Sequence, residues 1–127
     1  MTDSPREANG GRPTRRAVRG HILFDGEVPP LDDAVVHVFL EDTTQIDASA
    51  VVVVHQQFSP VGPSGSTLTF ELPDVLVDER ADYSLRVLVD MDHDGRISSG
   101  DYITVRAYLV LTRGHAEHVP VRVRRVT

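Results

Sequence analysis

Four aspartates in one short segment of the sequence have the spacing of a metal-binding loop. The segment DMDHDGRISSGD, residues 90–101, places aspartate at loop positions 1, 3, 5 and 12 and glycine at position 6. Calcium binds six to eight oxygen ligands, and a twelve-residue loop with this spacing supplies carboxylates from those positions. The sequence therefore predicts one calcium ion, with the ligands Asp90, Asp92, Asp94, Arg96 through its carbonyl oxygen, Ser98 and Asp101.

Two further positions fit the same loop. Gly95 would allow the sharp turn around the ion, and Ile97 would face inward and hold the loop to the core. EF-hand loops end in glutamate, whereas this loop ends in aspartate, as in dockerin-type repeats. The flanking segments have the pattern of strands, so there are no helices for the ion to move. We therefore expect a structural calcium ion that stabilises a strand-connecting loop.

A long acidic turn without metal is the alternative explanation. Aspartate and glycine are favoured in turns, because aspartate bonds its own backbone and glycine accepts positive φ. A hairpin, however, needs only two to five loop residues. Four carboxylates in one small loop also repel each other unless a cation lies among them. Loop length and repulsion favour the calcium site.

Seven segments around this loop have the pattern of strands; most alternate apolar and polar residues, and the unbroken run Val51–Val54 suggests a strand buried on both sides or in a central position. Val36, Val38 and Leu40 share one face of the second segment, and Leu85 and Val87 share one face of the fifth. This spacing is typical of half-buried strands. It predicts an all-β fold: a single antiparallel β-sandwich of about seven strands, of immunoglobulin-like or transthyretin-like size. A closed barrel is the alternative.

Composition and charge restrict the class of protein. The chain of 127 residues suits one domain, predicted at residues 17–127 after a disordered basic arm at residues 1–16. The net charge of −6 argues against nucleic-acid binding. The sequence contains no cysteine, no hydrophobic leader and no apolar run long enough for a membrane span. We therefore expect a cytoplasmic protein.

Outside the loop, the chain resembles the YbaY/YscW-like family of small bacterial lipoproteins, which includes pilotin-like chaperones of type III secretion. The resemblance covers about residues 18–115 and rests on the segments AVVHVFLEDTTQIDASAVVVVHQQF, LTFELP, YSLRVLV and YLVLTRG. It implies a small β-sandwich, no catalytic residues and a role as a secretin chaperone. The EF-hand-like or dockerin-like calcium loop would be an addition to this family pattern.

The six histidines give a weaker metal signal than the aspartates. His115 and His118 flank Glu117 in a predicted turn, where solvated side chains are a simpler explanation than a zinc site. His21, His37 and His55 lie on predicted strands, and polar positions on a sheet face account for them.

Two functions are consistent with these observations. The first is a non-catalytic calcium-binding domain. The alternative is a pilotin-like module that binds a protein or peptide at an exposed sheet edge, without a physiological metal. The sequence has no nucleophile-elbow motif, no glycine-rich phosphate loop and no HExxH motif, so we do not expect an enzyme. No feature of the sequence indicates an oligomeric state.

Overall fold

The structure is a computed structural model that describes residues 14–45, 47–60 and 68–127. Within these residues it contains eight β-strands and no helix. In chain order the strands are β1 (Thr14–Phe24), β2 (Val35–Asp42), β3 (Val51–Phe58), β4 (Leu68–Val77), β5 (Tyr83–Asp90), β6 (Tyr102–Thr104), β7 (Tyr108–Val110) and β8 (His118–Arg125). The prediction of an all-β fold is confirmed.

The eighth strand arises because one predicted strand is interrupted. The segment YITVRAYLVL forms β6 and β7, and residues 105–107 between them belong to no strand. Both short strands pair with the same edge of β5, so this edge is hydrogen-bonded to β7 near its start and to β6 near its end. Beside the interruption, the amide of Val87 donates a hydrogen bond to Oγ1 of Thr104 at 3.3 Å. A side chain thus satisfies a donor that the broken strand leaves free.

The first strand begins inside the segment predicted as a disordered arm. Thr14 and Arg16 pair with the end of β4, and the Arg16 guanidinium contacts the carboxylates of Glu79 and Glu117. The ordered chain therefore starts earlier than the predicted domain boundary at residue 17. Residues 1–13 lie outside the described residues, so disorder of the arm stays a prediction there.

All eight strands belong to one hydrogen-bonded sheet. Its order is β3-β2-β5-β6-β8-β1-β4, and β7 pairs with β5 off this path. The pairs are antiparallel except for β1 and β8, which are parallel. A sandwich of antiparallel strands was expected, and this arrangement differs from it in the parallel pair and in the continuous sheet. Alternation of apolar residues shows which side chains point inward, but not which strands pair.

The sheet curls around one core. Val36, Val38 and Leu40 of β2 are fully buried, as their spacing predicted. They share a single apolar cluster with Val18 and Ile22 of β1, which lies near the other end of the strand order. Because strands from both ends of the order meet in one core, the sheet is nearly closed.

Strand β5 positions the aspartate loop. It pairs with β2 along one side and with β6 and β7 along the other, and almost all of its residues are buried. The strand ends at Asp90, and β6 begins at Tyr102. The predicted loop is therefore the connection between two paired strands at one end of the sheet.

Candidate functional site

The structure brings the four aspartates of residues 90–101 together. Each of Asp90, Asp92, Asp94 and Asp101 offers one carboxylate oxygen, and these oxygens lie within 4.8 Å of one another. Asp90 and Asp101 stand at the two ends of the loop and are 1% and 0% exposed. Asp92 and Asp94 lie between them and are exposed. The loop thus has a buried acidic base and an exposed acidic tip.

Asp101 holds the loop in shape through both carboxylate oxygens. Its Oδ1 accepts a hydrogen bond from the amide of Met91 at 2.8 Å. Its Oδ2 accepts one from the amide of Ser98 at 2.9 Å, and Oγ of Ser98 lies 3.1 Å away. The backbone of the same region is tied to the end of the chain, because the amide of Val126 donates to the carbonyl of Asp101 and the amide of Gly100 donates to the carbonyl of Val126.

Asp90 uses only one of its two oxygens within the protein. Its Oδ2 accepts a hydrogen bond from the amide of Gly95 at 2.8 Å. Its Oδ1 is buried and has no hydrogen-bond partner among the described residues. Gly95 has a φ of 73°, the left-handed conformation that the turn requires of a glycine, as its position in the loop predicted.

The exposed aspartates bond locally. Oδ1 of Asp94 accepts a hydrogen bond from the amide of Arg96 at 2.9 Å, which is an Asx turn. Oδ2 of Asp92 lies 3.2 Å from Oγ of Ser98. The structure therefore places Ser98 with the four aspartates, as predicted, while the role of the Arg96 carbonyl stays a prediction.

One sequence expectation about this loop is wrong. Ile97 was expected to face the core, but its side chain is 54% exposed. The loop is held instead by the hydrogen bonds that Asp101 accepts from Met91 and Ser98. A polar anchor thus replaces the apolar one, which is why this position does not need to be buried.

Crowding of the carboxylates shifts two pKa values in opposite directions. Burial alone would raise the pKa of Asp90, but the hydrogen bond from the Gly95 amide and the nearby polar groups of Asp92 and Asp94 outweigh it and leave this pKa below its usual range. The adjacent carboxylate of Asp90 raises the pKa of Asp92, and the charges of Asp94 and Asp101 raise it further. The crowding of negative charge therefore disfavours the ionised form of Asp92 more than that of Asp90.

Two histidine pairs cross neighbouring strands, and the sequence analysis did not find them. Nδ1 of His37 in β2 lies 2.9 Å from Nε2 of His55 in β3, and the ring of Phe39 stacks on His55 with centroids 4.5 Å apart. The Arg86 guanidinium covers the Phe39 ring and pairs with Glu41. Such pairs depend on strand register, which spacing along the chain does not show.

A second pair joins the first and last strands. Nδ1 of His21 in β1 lies 3.3 Å from Nε2 of His118 in β8, with the two rings edge to face. The pair exists because β1 and β8 are parallel neighbours: His118 pairs with Arg19, which is two residues before His21 on the same strand. Each pair offers two imidazoles and, among the described residues, belongs to no larger group of metal-ligating side chains.

The His37 pair predicts a pH dependence of stability. Burial and the neighbouring His55 lower the pKa of His37, while Asp90 acts weakly in the other direction. The unfolded chain therefore binds a proton more readily than the folded chain. This contribution to stability is complete above the unfolded pKa of about 6.5 and is lost as the pH falls through it.

The check is urea unfolding at pH 7.5 and at pH 5.5 for the wild type and for His37→Gln. We expect a smaller loss of unfolding free energy on acidification in the variant than in the wild type. Equal losses in the two proteins would show that the His37 imidazole does not carry this dependence.

Strand β3 forms an open end of the sheet. Within the described residues its outer edge pairs with no strand, whereas its inner edge pairs with β2. The strand contains no proline and no acidic or basic residue other than His55. Val51, Val52 and Val53 are 62%, 46% and 45% exposed, a concentration of exposed apolar side chains on one short strand. An open groove of about 510 Å³ lies beside Val51.

The other end of the sheet is protected. Strand β4 carries Glu71, Pro73 and Asp74 in its middle, and its pairing with β1 is irregular near this point. Asp74 has a φ of 55°, and its carbonyl accepts a hydrogen bond from the Arg15 side chain. Proline, charge and irregular backbone are the features that keep edge strands from pairing with other chains.

Comparison with known proteins gives a consistent result. The model of a family described as type III secretion system lipoprotein chaperone (YscW) matches residues 13–123. Among solved structures, the chain is similar to an alternative pilotin from the type II secretion system of Vibrio cholerae, with 26% identity and a TM-score of 0.73. The alignment covers 90% of this chain and 99% of the pilotin. No curated protein matches the chain significantly.

These matches correct the expected location. The sequence analysis expected a cytoplasmic protein, and this is wrong, because the matching family is one of lipoproteins. The expectation rested on the absence of a hydrophobic leader and of cysteine in the sequence. Such an absence does not locate a protein. Among the described residues, no helix has the length and apolar character needed to cross a membrane.

Proposed function

The chain belongs to the YscW family of type III secretion system lipoprotein chaperones, and from this premise we propose that it is a non-catalytic, pilotin-like protein-binding module. Its client is a protein component of a secretion system, and the secretin is the component that the family resemblance implies. The similarity to a type II pilotin over nearly the whole chain supports the same function.

The observation that carries the proposal is the open edge of β3. An edge strand presents a row of unpaired amides and carbonyls, which an extended segment of another protein can extend by one strand. Two features of β3 suit this binding mode. None of its eight residues is proline, and none is an aspartate, glutamate, lysine or arginine, the charged residues that discourage pairing at an edge. The corresponding edge of β4 has both protective features. We therefore place the client segment on β3.

The exposed valines suit an apolar client segment. Side chains of Val51 and Val53 lie on one face of the strand, because successive residues alternate. An added strand would cover part of their exposed surface, which is a favourable transfer of apolar area from water. The groove beside Val51 is lined by Asp42, Asp78 and Arg80 as well as by apolar atoms. It offers space and charges of both signs for one side chain of the client.

Lysine substitutions on β3 test this placement. Val51→Lys and Val53→Lys put a charge on exposed positions of the edge, so the fold should tolerate them while an added apolar strand should not. We expect the affinity for the purified secretin of the same bacterium, measured by calorimetry, to fall about tenfold or more, because the charge would be desolvated.

Leu76→Lys is the matched control, since Leu76 is 56% exposed on the other end strand, β4. Its affinity for the secretin should equal that of the wild type, and all three variants should melt like the wild type. Unchanged affinity in both β3 variants, or an equal loss in Leu76→Lys, would contradict binding at the β3 edge.

The calcium site predicted for residues 90–101 is separate from the proposed client site. The loop lies between β5 and β6, whereas the proposed client segment lies on β3. Neither comparison with known proteins concerns a metal. Partner binding as proposed here should therefore persist in the presence of a chelator.

A further inference from the structure

We propose that the loop of residues 90–101 binds one calcium ion, a property beyond protein binding that rests on the geometry of the loop itself. The site lies at one end of the sheet, between the last residue of β5 and the first residue of β6. Its ligands are carboxylate oxygens of Asp90, Asp92, Asp94 and Asp101. Oγ of Ser98, which lies 3.2 Å from the Asp92 carboxylate, is near enough to join them or to hold a water.

The spacing of the four oxygens fits calcium. Calcium–oxygen bonds are about 2.3–2.6 Å long, so oxygens on opposite sides of the ion are roughly 4.6–5.2 Å apart. The four carboxylate oxygens lie within 4.8 Å of one another, which is close enough for all four to bind one calcium ion. Magnesium–oxygen bonds of about 2.0–2.1 Å require opposite oxygens near 4.1 Å and a nearly ideal octahedron. The proposed ion is calcium, because its coordination accepts varied oxygen positions and that of magnesium does not.

A second observation points to a cation independently of the spacing. Asp90 is 1% exposed, its Oδ1 is buried, and this oxygen has no hydrogen-bond partner among the described residues. A buried carboxylate oxygen without a donor raises the free energy of the folded state, because it loses its hydrogen bonds to water and forms none within the protein. An acidic turn without metal explains the position of Oδ2, because this oxygen accepts a hydrogen bond from the Gly95 amide. It does not explain why Oδ1 is buried without a donor.

The uncompensated negative charge of the loop also indicates a bound cation. Within the described part of the chain, none of the four aspartates forms a salt bridge with an arginine or histidine. The two basic residues of the loop, His93 and Arg96, are both exposed. Buried or crowded anions are normally paired or coordinate a metal. A divalent cation at the centre of the cluster would compensate charges that the protein leaves uncompensated.

The contacts of Asp101 define what the ion would do. This residue links the cluster to the end of the chain, since its carbonyl accepts a hydrogen bond from the amide of Val126. Its side chain also fixes the amides of Met91 and Ser98. An ion held by Asp90 and Asp101 would therefore join the ends of β5 and β6 and the residue that follows β8. Its role would be structural: it would stabilise the positions of these strand ends relative to one another.

Calorimetry and thermal unfolding test the proposal. Titration of the wild type with calcium should show one site, with a dissociation constant in the broad range of about 10⁻⁶–10⁻³ M. Calcium at a large excess over this constant should raise the melting temperature by several degrees relative to EDTA. The same concentration of magnesium should have a much smaller effect.

Two variants and one control make the test specific. Asp94→Ala and Asp92→Asn change exposed ligands, so both proteins should fold and both should lose the calcium-dependent rise. Asp33→Ala removes an exposed aspartate outside the loop and should keep the rise. Identical melting of the wild type in calcium and in EDTA, with no heat of binding, would overturn the proposal. An equal response to magnesium would overturn calcium as the occupant.

Discussion

Replacing Asp101 by alanine should lower the free energy of unfolding by about 2–4 kcal/mol, even when EDTA removes every divalent cation. Asp101 is fully buried, and its carboxylate is the acceptor for the amides of Met91 and Ser98. Alanine would leave these two donors without a partner, at about 1–3 kcal/mol for each one that water cannot reach. Relief of repulsion from the other aspartates offsets part of this loss; the share from Asp92 and Asp94 is small, because both are exposed and screened by solvent.

Asp94→Ala is the matched control for this experiment. It removes a carboxylate of the same cluster, but an exposed one that, among the described residues, accepts a hydrogen bond only from the nearby amide of Arg96. In EDTA its unfolding free energy should lie within about 0.5 kcal/mol of the wild-type value. Equal stability of Asp101→Ala and the wild type in urea unfolding would show that Asp101 does not anchor the loop.

Replacing Gly20 by alanine should cost about 1–3 kcal/mol of unfolding free energy, because the new methyl group has no space. Gly20 lies in β1 directly opposite Phe70 of β4 and Val119 of β8. A Cβ atom at this position would lie 2.4 Å from Cζ of Phe70, 2.7 Å from its Cε2 and 3.0 Å from the carbonyl oxygen of Val119. The Phe70 ring is buried in the core and would have to move.

A double-mutant cycle identifies the cause of this loss. Phe70→Leu removes the ring atoms that approach Gly20 most closely, so Gly20→Ala should cost less in that background than in the wild type. Urea unfolding of the four proteins gives the coupling energy. The same cost in both backgrounds would show that the Phe70 ring does not set the requirement for glycine.

The alternation of apolar residues predicted the fold class and much of the core. Val36, Val38 and Leu40 are buried because a strand that lies on a core must point every second side chain inward. The parallel pairing of β1 with β8 was not predicted, since it joins segments almost 100 residues apart and leaves no local signal. The interruption at residues 105–107 was missed for a similar reason, because the segment alternates throughout.

In the candidate sites, features set by spacing within one segment could be predicted, and features set by the order of strands could not. The convergence of Asp90, Asp92, Asp94 and Asp101 could be predicted, because one short loop contains all four residues and their spacing alone sets the geometry. The partner of Asp101 at the C-terminal end, Val126, could not be predicted, since it depends on where β8 lies. The open edge at β3 emerges only from the order of strands in the sheet, and the expectation that the run Val51–Val54 is central or buried on both sides is wrong.

The histidine pairs show most clearly that contacts between strands cannot be predicted from apolar spacing alone. His37 and His55 lie on consecutive strands that the sequence analysis had identified, and both were expected at polar positions. Whether two such rings touch depends on register to within one residue, and period-two spacing alone does not fix it.

Hydrogen exchange tests the central claim, the docking of a client strand on β3, most directly. The amides of residues 51–58 would be followed by NMR or mass spectrometry with and without the purified secretin. Added pairing should slow exchange at the β3 amides that point away from β2 and leave exchange along β4 unchanged. Slowed exchange confined to another surface, with residues 51–58 unaffected, would contradict the assignment of β3 as the binding edge.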